Sequence, residues 1–407
     1  MLKVKTPEEA LTIILEMPLS VQPAMEEVPL SQAHGRILFA PLRASEYVPG
    51  FDRSSVDGYA VHSSDTFGCS DAIPAILTCS KHIRMGETAQ ETLRPGECAA
   101  VPTGGAVPPG ADAVVMIEYT EDYGDGTVGI LKSAAPGMNM VYRGDDVFPG
   151  KQVLPSGRKL NAGDIGALAA MGCMTVCAAR KPLIGIISTG DELVSVDETP
   201  EEGMVRDVNS AMLAAAVSDA GGVPVCYGIV PDQEEVLRQM LEKALHECSM
   251  VLISGGSSVG EKDVSERIME EFGEILFHGI AMKPGKPTIL ASADGKPVFG
   301  LPGHPGAAYL VSQLFVKPMI GRLLGKTAGT RTIPAVLKEA VSANHGRAQY
   351  MGVSLQEENG TLYAVPIHSK SGLITGLSGS DGFFGIPRDC EGIPAGQVIS
   401  VRFYSED

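Results

Sequence analysis

Three loops in the middle of the chain combine glycine, hydroxyl and acid side chains in a way that suits an anionic ligand. They are Ser188-Thr189-Gly190-Asp191-Glu192-Leu193, Gly255-Gly256-Ser257-Ser258-Val259-Gly260-Glu261-Lys262-Asp263 and Leu301-Pro302-Gly303-His304-Pro305-Gly306. Glycine lets backbone approach a ligand closely, and a helix start presents unsatisfied N–H groups. A single loop of this kind is explained as well by a tight turn. Three of them at the edge of one sheet point to a phosphate-bearing small molecule, with Ser188, Gly190, Gly255, Gly256, Ser257, Pro302 and Gly303 as candidate contacts. Neither G-x-x-x-x-G-K-[ST] nor G-x-G-x-x-G occurs in them, so the site is of neither the Walker nor the Rossmann type.

Charge surrounds these loops. Lys283 and Lys286 stand three apart in Met282-Lys283-Pro284-Gly285-Lys286-Pro287, whose prolines exclude a regular helix, and both ammonium groups could meet one anion. A solvated lysine pair is the alternative. Glu192, Asp232 and Asp263 supply carboxylates suited to Mg²⁺ held partly by phosphate and water, with helix capping by Asp232 as the alternative. A second dense segment, Phe51-Asp52-Arg53-Ser54-Ser55-Val56-Asp57-Gly58-Tyr59, lies far upstream, and Arg143-Gly144-Asp145-Asp146 adds further loop acids. No His, Cys and acid grouping marks a covalent triad, which leaves charge organisation as the chemistry.

The elements that must position these groups follow from periodicity. A short helix over Pro7 to Met17 places Ala10, Leu11, Ile14 and Leu15 on one face. From Tyr47 to Gly137 short β-prone runs alternate with Gly and Pro clusters, and Asp122-Tyr123-Gly124-Asp125-Gly126 reads as a hairpin turn. Beyond Lys181 strands at 183–188, 224–230, 250–254, 288–291 and 298–300 alternate with helices at 210–220, 233–247, 264–272 and 306–324. Such β-loop-α units imply a parallel sheet covered on both faces, whose ligands gather beyond the carboxyl ends of the strands. Short β segments at 332–340, 352–356 and 398–403 predict a small C-terminal β domain.

Composition bounds the rest. At 407 residues the chain exceeds one growing core and divides into several domains. No run approaches the roughly 20 apolar residues of a membrane span, and the first residues lack the apolar stretch of a signal peptide. A net charge of −17 disfavours nucleic acid, so an anionic ligand needs local lysines or bridging cations. The eight scattered cysteines read as reduced, buried thiols of a cytoplasmic protein; Cys173 and Cys177 lack a matching pair for a metal site.

In order along the chain, Phe51 to Ala60, Thr103-Gly104, Arg143 to Asp146, Ser188 to Leu193, Ser254 to Asp263, Lys283 to Pro287 and Gly300 to Pro305 closely resemble the molybdopterin molybdenumtransferase family, the molybdenum insertases related to the gephyrin E domain. Gly376-Leu377 and Asp381-Gly382 extend the likeness to the C-terminal region.

The resemblance implies an α/β multidomain fold. It has a central three-layer α/β domain with a mostly parallel sheet (180–327), a β-rich domain (47–137), a discontinuous helical linking and dimerisation domain (1–46 and 138–179) and a small barrel-like C-terminal β domain (328–407). It also implies a homodimer in which adenylylated molybdopterin and molybdate become molybdenum cofactor and AMP with Mg²⁺. Glu192, Asp232 and Asp263 would organise metal and nucleotide, and Lys283 and Lys286 would face oxyanions. Asp57, Thr103 and Asp146 would approach from the partner subunit, while Arg347 and Ser371 would add substrate contacts. Asp57, Asp263, Lys283 and Lys286 are the positions expected to act in catalysis. A molybdopterin adenylyltransferase and molybdoenzyme apoproteins are the partners such a role implies.

Gly279, His304 and Ala307 replace a lysine, an asparagine and, near it, a hydroxyl common in relatives, and a second arginine is missing near Met351. These differences motivate an alternative: a divergent relative that binds the pterin or a partner protein without efficient insertion, or that handles tungstate. A free-standing adenylyltransferase is opposed by the extra β domains.

Overall fold

The computed structural model describes residues 4–255, 264–327, 329, 331–343, 346–368 and 374–404. Its centre is a six-stranded sheet in the order Val223–Val230, Leu183–Thr189, Met250–Gly255, Lys296–Leu301, Ile289–Ala293, Glu274–His278. The first four strands are parallel. Met250, Leu252, Ile184 and Ile186 enter one core, and Val251, Ile253 and Ile187 the other, which is why these strands read as continuous apolar runs. Helices Val208–Asp219 and Pro305–Leu323 cover the first face, together with the opening helix Pro7–Glu16; Glu234–Glu247 and Val264–Phe272 cover the second. The result is a three-layer sandwich.

Several details differ from the sequence expectation. Ile289–Ala293 and Lys296–Leu301 form an antiparallel hairpin, because Asp294 and Gly295 take φ of 49° and 76° and leave only a two-residue turn. Glu274–His278, read as no element in the sequence, pairs at the sheet's edge. The last helix is not uniform: Pro305–Val311 and Lys317–Leu323 flank a π segment, Ser312–Val316. Pro318 has no N–H to offer the preceding turn, and the wider turn absorbs the defect. Asp232 does not cap helix Glu234–Glu247; Gln233 takes the N-cap position without a side-chain bond. All eight cysteines are free, but only Cys98 and Cys248 are buried; Cys177 and Cys226 are exposed, and Cys69, Cys79, Cys173 and Cys390 are half-buried.

The opening helix begins with the reciprocal bonds of Thr6 and Glu9, and Arg322 holds its far end by donating to Ile14 O at 2.6 Å and Met17 O at 2.9 Å. Residues on both sides of the β-rich segment share one core, in which Val28, Ala33 and Leu38 pack with Leu154, Leu160, Leu168 and Val176. The β-rich segment forms its own six-stranded sheet in the order Ala113–Met116, Gly58–Val61, Glu97–Val101, Ala75–His82, Thr127–Ile130, Thr120–Asp122. The expected turn closes its last hairpin, with Gly124 and Gly126 at φ of 75° and 90°.

At the C-terminus, strands Ala348–Glu358, Thr361–Pro366, Thr332–Leu337, Val398–Phe403 and Gly382–Ile386 close into a five-stranded barrel, since the last pairs back to the first. Lys283 pairs in parallel with Gln349 of the barrel. That short pairing carries the barrel's edge to the mouth of the central sheet. Among the described residues, no helix is long and apolar enough to cross a membrane.

Candidate active site

A cleft of about 1850 Å³ opens beyond the carboxyl ends of the central strands, the position expected for a ligand of an open α/β sheet. Gly190, Glu192, Asp232, Gly255, Pro302, Gly303, Lys283, Lys286 and Arg347 all line it. Sequence positions almost 160 apart thus meet at one mouth, where Glu192, Asp207 and Asp232 share the lining with Arg206, Arg267, Lys283, Lys286 and Arg347.

The glycines differ in what they do. A Cβ on Gly255, at φ of 124°, would lie 1.9 Å from the Thr189 carbonyl oxygen, so no side chain fits between the two strand ends. On Gly303 a Cβ would meet nothing closer than Gly255 Cα at 3.8 Å. Gly255 is therefore required by the backbone itself, and Gly303 only keeps the cleft open.

Asp232 accepts a short hydrogen bond from Thr189 Oγ1, and its own N–H donates to Asp191 Oδ1 at 3.2 Å. Its carboxylate is thereby oriented at the cleft instead of the helix start. Among the described residues no group of three or more His, Cys, Asp or Glu side chains is arranged to hold a metal ion. Glu192 and Asp232 nevertheless both face the cleft, a donor set that fits Mg²⁺ bound through one or two carboxylates and substrate phosphates.

Ser188 lies beneath this surface. It is fully buried, its hydroxyl donates to Asp207 Oδ1 at 3.0 Å and sits 2.9 Å from Ser210 Oγ, and it lines no part of the cleft. Its chemistry is spent on fixing helix Val208–Asp219, whose N-cap is Asp207. Asp263, Gly256, Ser257 and Ser371 lie outside the described residues.

Sequence reasoning missed Asp207 and Asn209. Asn209 is 8% exposed and donates from Nδ2 to Ser254 Oγ at 2.6 Å and to Gly303 O at 2.8 Å, tying two of the three loops together. Its Oδ1 is buried and has no hydrogen-bond partner among the described residues. The signal was the Asp-x-Asn order at a helix start, two residues ahead of the predicted beginning at Ser210. Gln349 and His368 of the barrel also line the cleft. Tyr350, half-buried, lines it beside them, and its burial pushes the phenol up to about 12.

A second constellation sits on the β-rich side, away from this cleft. Asp57 Oδ1 accepts from Thr103 N–H at 2.7 Å, and Asp52 Oδ1 accepts from Arg143 N–H at 2.7 Å. The Arg143 guanidinium stacks over the Tyr47 ring at 4.1 Å, and the Asp146 carbonyl accepts from Lys151 Nζ. Asp57, Thr103 and Asp146 are all exposed, and none of them lines the cleft of their own chain.

Comparison with known proteins covers most of the chain. Residues 5–172 match the MoeA N-terminal region (domain I and II), 185–322 a probable molybdopterin binding domain and 334–404 the MoeA C-terminal region (domain IV). The molybdopterin molybdenumtransferase of Bacillus subtilis is 32% identical over 388 residues, 94% of this chain and 90% of the relative. The chain belongs to the molybdopterin molybdenumtransferase family. A Nostoc relative of the same description is 36% identical over 315 residues, covering 76% of this chain and 72% of its own. The solved structure of the molybdopterin biosynthesis MoeA protein from Pyrococcus horikoshii superposes with a TM-score of 0.87 at 33% identity, over 99% of this chain and all of that one. In this family member the position of Gly279 lies outside the cleft lining and has φ of 94°, with Val4 Cγ2 only 3.3 Å from where a Cβ would sit.

Proposed function

We propose that this transferase of molybdenum cofactor biosynthesis moves molybdenum from molybdate onto adenylylated molybdopterin and releases AMP. The observation that carries the reading is the cleft itself, which Lys283, Lys286 and Arg347 line together with Glu192 and Asp232 around glycine-bearing strand ends. Molybdate and a pyrophosphate-linked pterin repel each other in water. Fixed cations that face both substrates stabilise the charge that gathers as they approach.

Lys283 and Lys286 project as exposed ammonium groups and neutralise the oxyanions. The strand ends at Gly190, Gly255 and Gly303 let backbone approach the phosphates. Glu192 and Asp232, joined by Asp263, would hold Mg²⁺, which supplies charge neutralisation at the phosphoanhydride. In the overall change the pterin's two thiols bind molybdenum and displace one oxygen ligand of molybdate, which leaves with both thiol protons as water, and a water cleaves the phosphoanhydride to give the pterin's phosphomonoester and AMP. No side-chain nucleophile is required.

The chain is proposed to act as a cytoplasmic homodimer, with Asp57, Thr103 and Asp146 of one subunit completing the cleft of the other. The exposure of these groups away from their own cleft supports that arrangement. An adenylyltransferase would deliver the substrate, and molybdoenzyme apoproteins would receive the product. The decisive assay is AMP release from adenylylated molybdopterin. Release should require both molybdate and Mg²⁺ and should be suppressed by Asp263→Asn. AMP formation at full rate without molybdate would refute insertion as the coupled step.

A further inference from the structure

Two of the eight cysteines are neighbours in the β-rich sheet. Cys79, on strand Ala75–His82, and Cys98, on strand Glu97–Val101, are register partners in a parallel pair. Strands paired in this way lie about 4.8 Å apart, within the roughly 4.4–6.8 Å that a disulfide spans between Cα atoms. Both side chains enter the same face of the sheet, where they pack in one core with Leu77 and Val128. The Cys79 thiol lies close enough to that of Cys98 to interact with it directly. The register shifts just after Cys79, so the ladder is already irregular at this point.

The two thiols are not equivalent. Cys98 is fully buried, and burial, followed by the neighbouring Cys79, pushes its thiol up to about 12. It therefore stays protonated and inert on its own. Cys79 is half-buried, and its sulfur lies 3.7 Å from Nε2 of the exposed His82, a base that can take its proton. Nothing in the cleft chemistry uses any of these three side chains, and none of them lines the cleft.

We infer that Cys79 and Cys98 form a thiol modification site that hydrogen peroxide closes to a disulfide, with Cys79 as the attacking and Cys98 as the resolving thiol. The Cys79 thiolate attacks one peroxide oxygen and the O–O bond breaks; the leaving hydroxide takes the proton held by His82 and departs as water. The Cys98 sulfur then attacks the sulfur of the Cys79 sulfenic acid. The S–O bond breaks, and the oxygen leaves with the Cys98 proton as a second water. The two thiols lose two electrons and the peroxide gains them. The bridge would close the segment 80–97, in which Met85 Cε lies 3.7 Å from the Cβ position of Gly104, beside Thr103. Oxidation thus tightens the loop that abuts the Thr103 turn. The inference does not depend on the reaction proposed above.

The test treats the full chain carrying Cys177→Ser/Cys226→Ser, which removes the two exposed thiols, with equimolar hydrogen peroxide and maps its peptides by mass. The mass should fall by two hydrogens in a linked Cys79–Cys98 peptide pair, and dithiothreitol should restore it. In Cys98→Ala, Cys79 should stall as a sulfenic acid that dimedone captures; in Cys79→Ser, Cys98 should stay reduced. His82 is exposed, so His82→Gln leaves the core intact and should slow bridge formation at least about tenfold. Amide hydrogen exchange over residues 84–96 should slow at least about threefold on oxidation. A linked pair that contains Cys69, which packs on the same core, would overturn the proposal. So would over-oxidised Cys79 beside a reduced Cys98, an unchanged mass after peroxide, or an unchanged rate in His82→Gln.

Discussion

Asn209 offers the sharpest separation of stability from activity. Its amide makes two hydrogen bonds, to Ser254 Oγ and Gly303 O, and carries one buried acceptor without a partner. Asn209→Ala removes both bonds, about 1 kcal/mol each, and also removes the orphaned oxygen, whose burial costs about 1–3 kcal/mol. The two effects nearly cancel, so the variant should unfold in urea within about 1 kcal/mol of the parent. Asn209→Asp keeps the orphan and turns the donor into an acceptor aimed at the Gly303 carbonyl, so it should lose about 3 kcal/mol or more. The nearly isosteric change is thus the worse one for stability. Catalysis should follow a different order: in Asn209→Ala the strand end at Ser254 and the loop at Gly303 lose their common tether, and a misplacement of about 1 Å can lower turnover about a hundredfold. AMP release should therefore fall steeply in kcat in a variant whose urea midpoint barely moves. An Asn209→Ala protein that is destabilised by more than about 3 kcal/mol, or one that turns over normally, would refute the reasoning.

Other outcomes follow from the same geometry. Gly255→Ala forces a Cβ into the Thr189 carbonyl, a displacement of more than 1 Å from ordinary contact, and should cost about 3 kcal/mol or more in thermal melts, while Gly303→Ala stays within about 1 kcal/mol. Thr189→Val removes the hydroxyl that orients Asp232 and should raise the Mg²⁺ concentration for half-maximal AMP release about tenfold, with the plateau rate largely kept. If each cleft is completed by its partner, an exchanged equimolar mixture of Asp57→Asn and Lys286→Ala chains, each inactive alone, should recover about one quarter of parental activity, because half the dimers carry one intact site; no recovery would place both groups in one chain's site. Asp164 is nearly buried, which raises its carboxyl, but the Arg158 hydrogen bond, the Asn161 N–H and the Arg158 charge together bring it below the ordinary 3.8. Its stabilisation is therefore complete above about pH 3.8 and is lost as pH falls through the lower folded value, so Asp164→Asn should flatten the acid limb of the melting temperature.

The central sheet was readable because its strands are buried on both faces and its helices carry an apolar stripe; Met250 to Ser254 and Val236 to Leu245 admit little else. The hairpin at Asp294-Gly295 carried its own signal, an Asp-Gly step between apolar runs, but the β-loop-α reading of the domain overrode it. Asp232 shows the same limit for chemistry: as an acid one residue ahead of a helix it satisfies every capping rule, and only the neighbouring strand's Thr189 hydroxyl draws its carboxylate elsewhere. Ser188 errs in the opposite direction, a hydroxyl in a promising loop that is consumed one layer below the surface by Asp207 and Ser210. Residue type and spacing thus located the loops, while the choice between holding a ligand and holding the fold was made by contacts between segments more than 15 residues apart. Asn209 is the extreme case, because it does both: its amide nitrogen is occupied in joining Ser254 to Gly303, while its buried oxygen has no hydrogen-bond partner among the described residues.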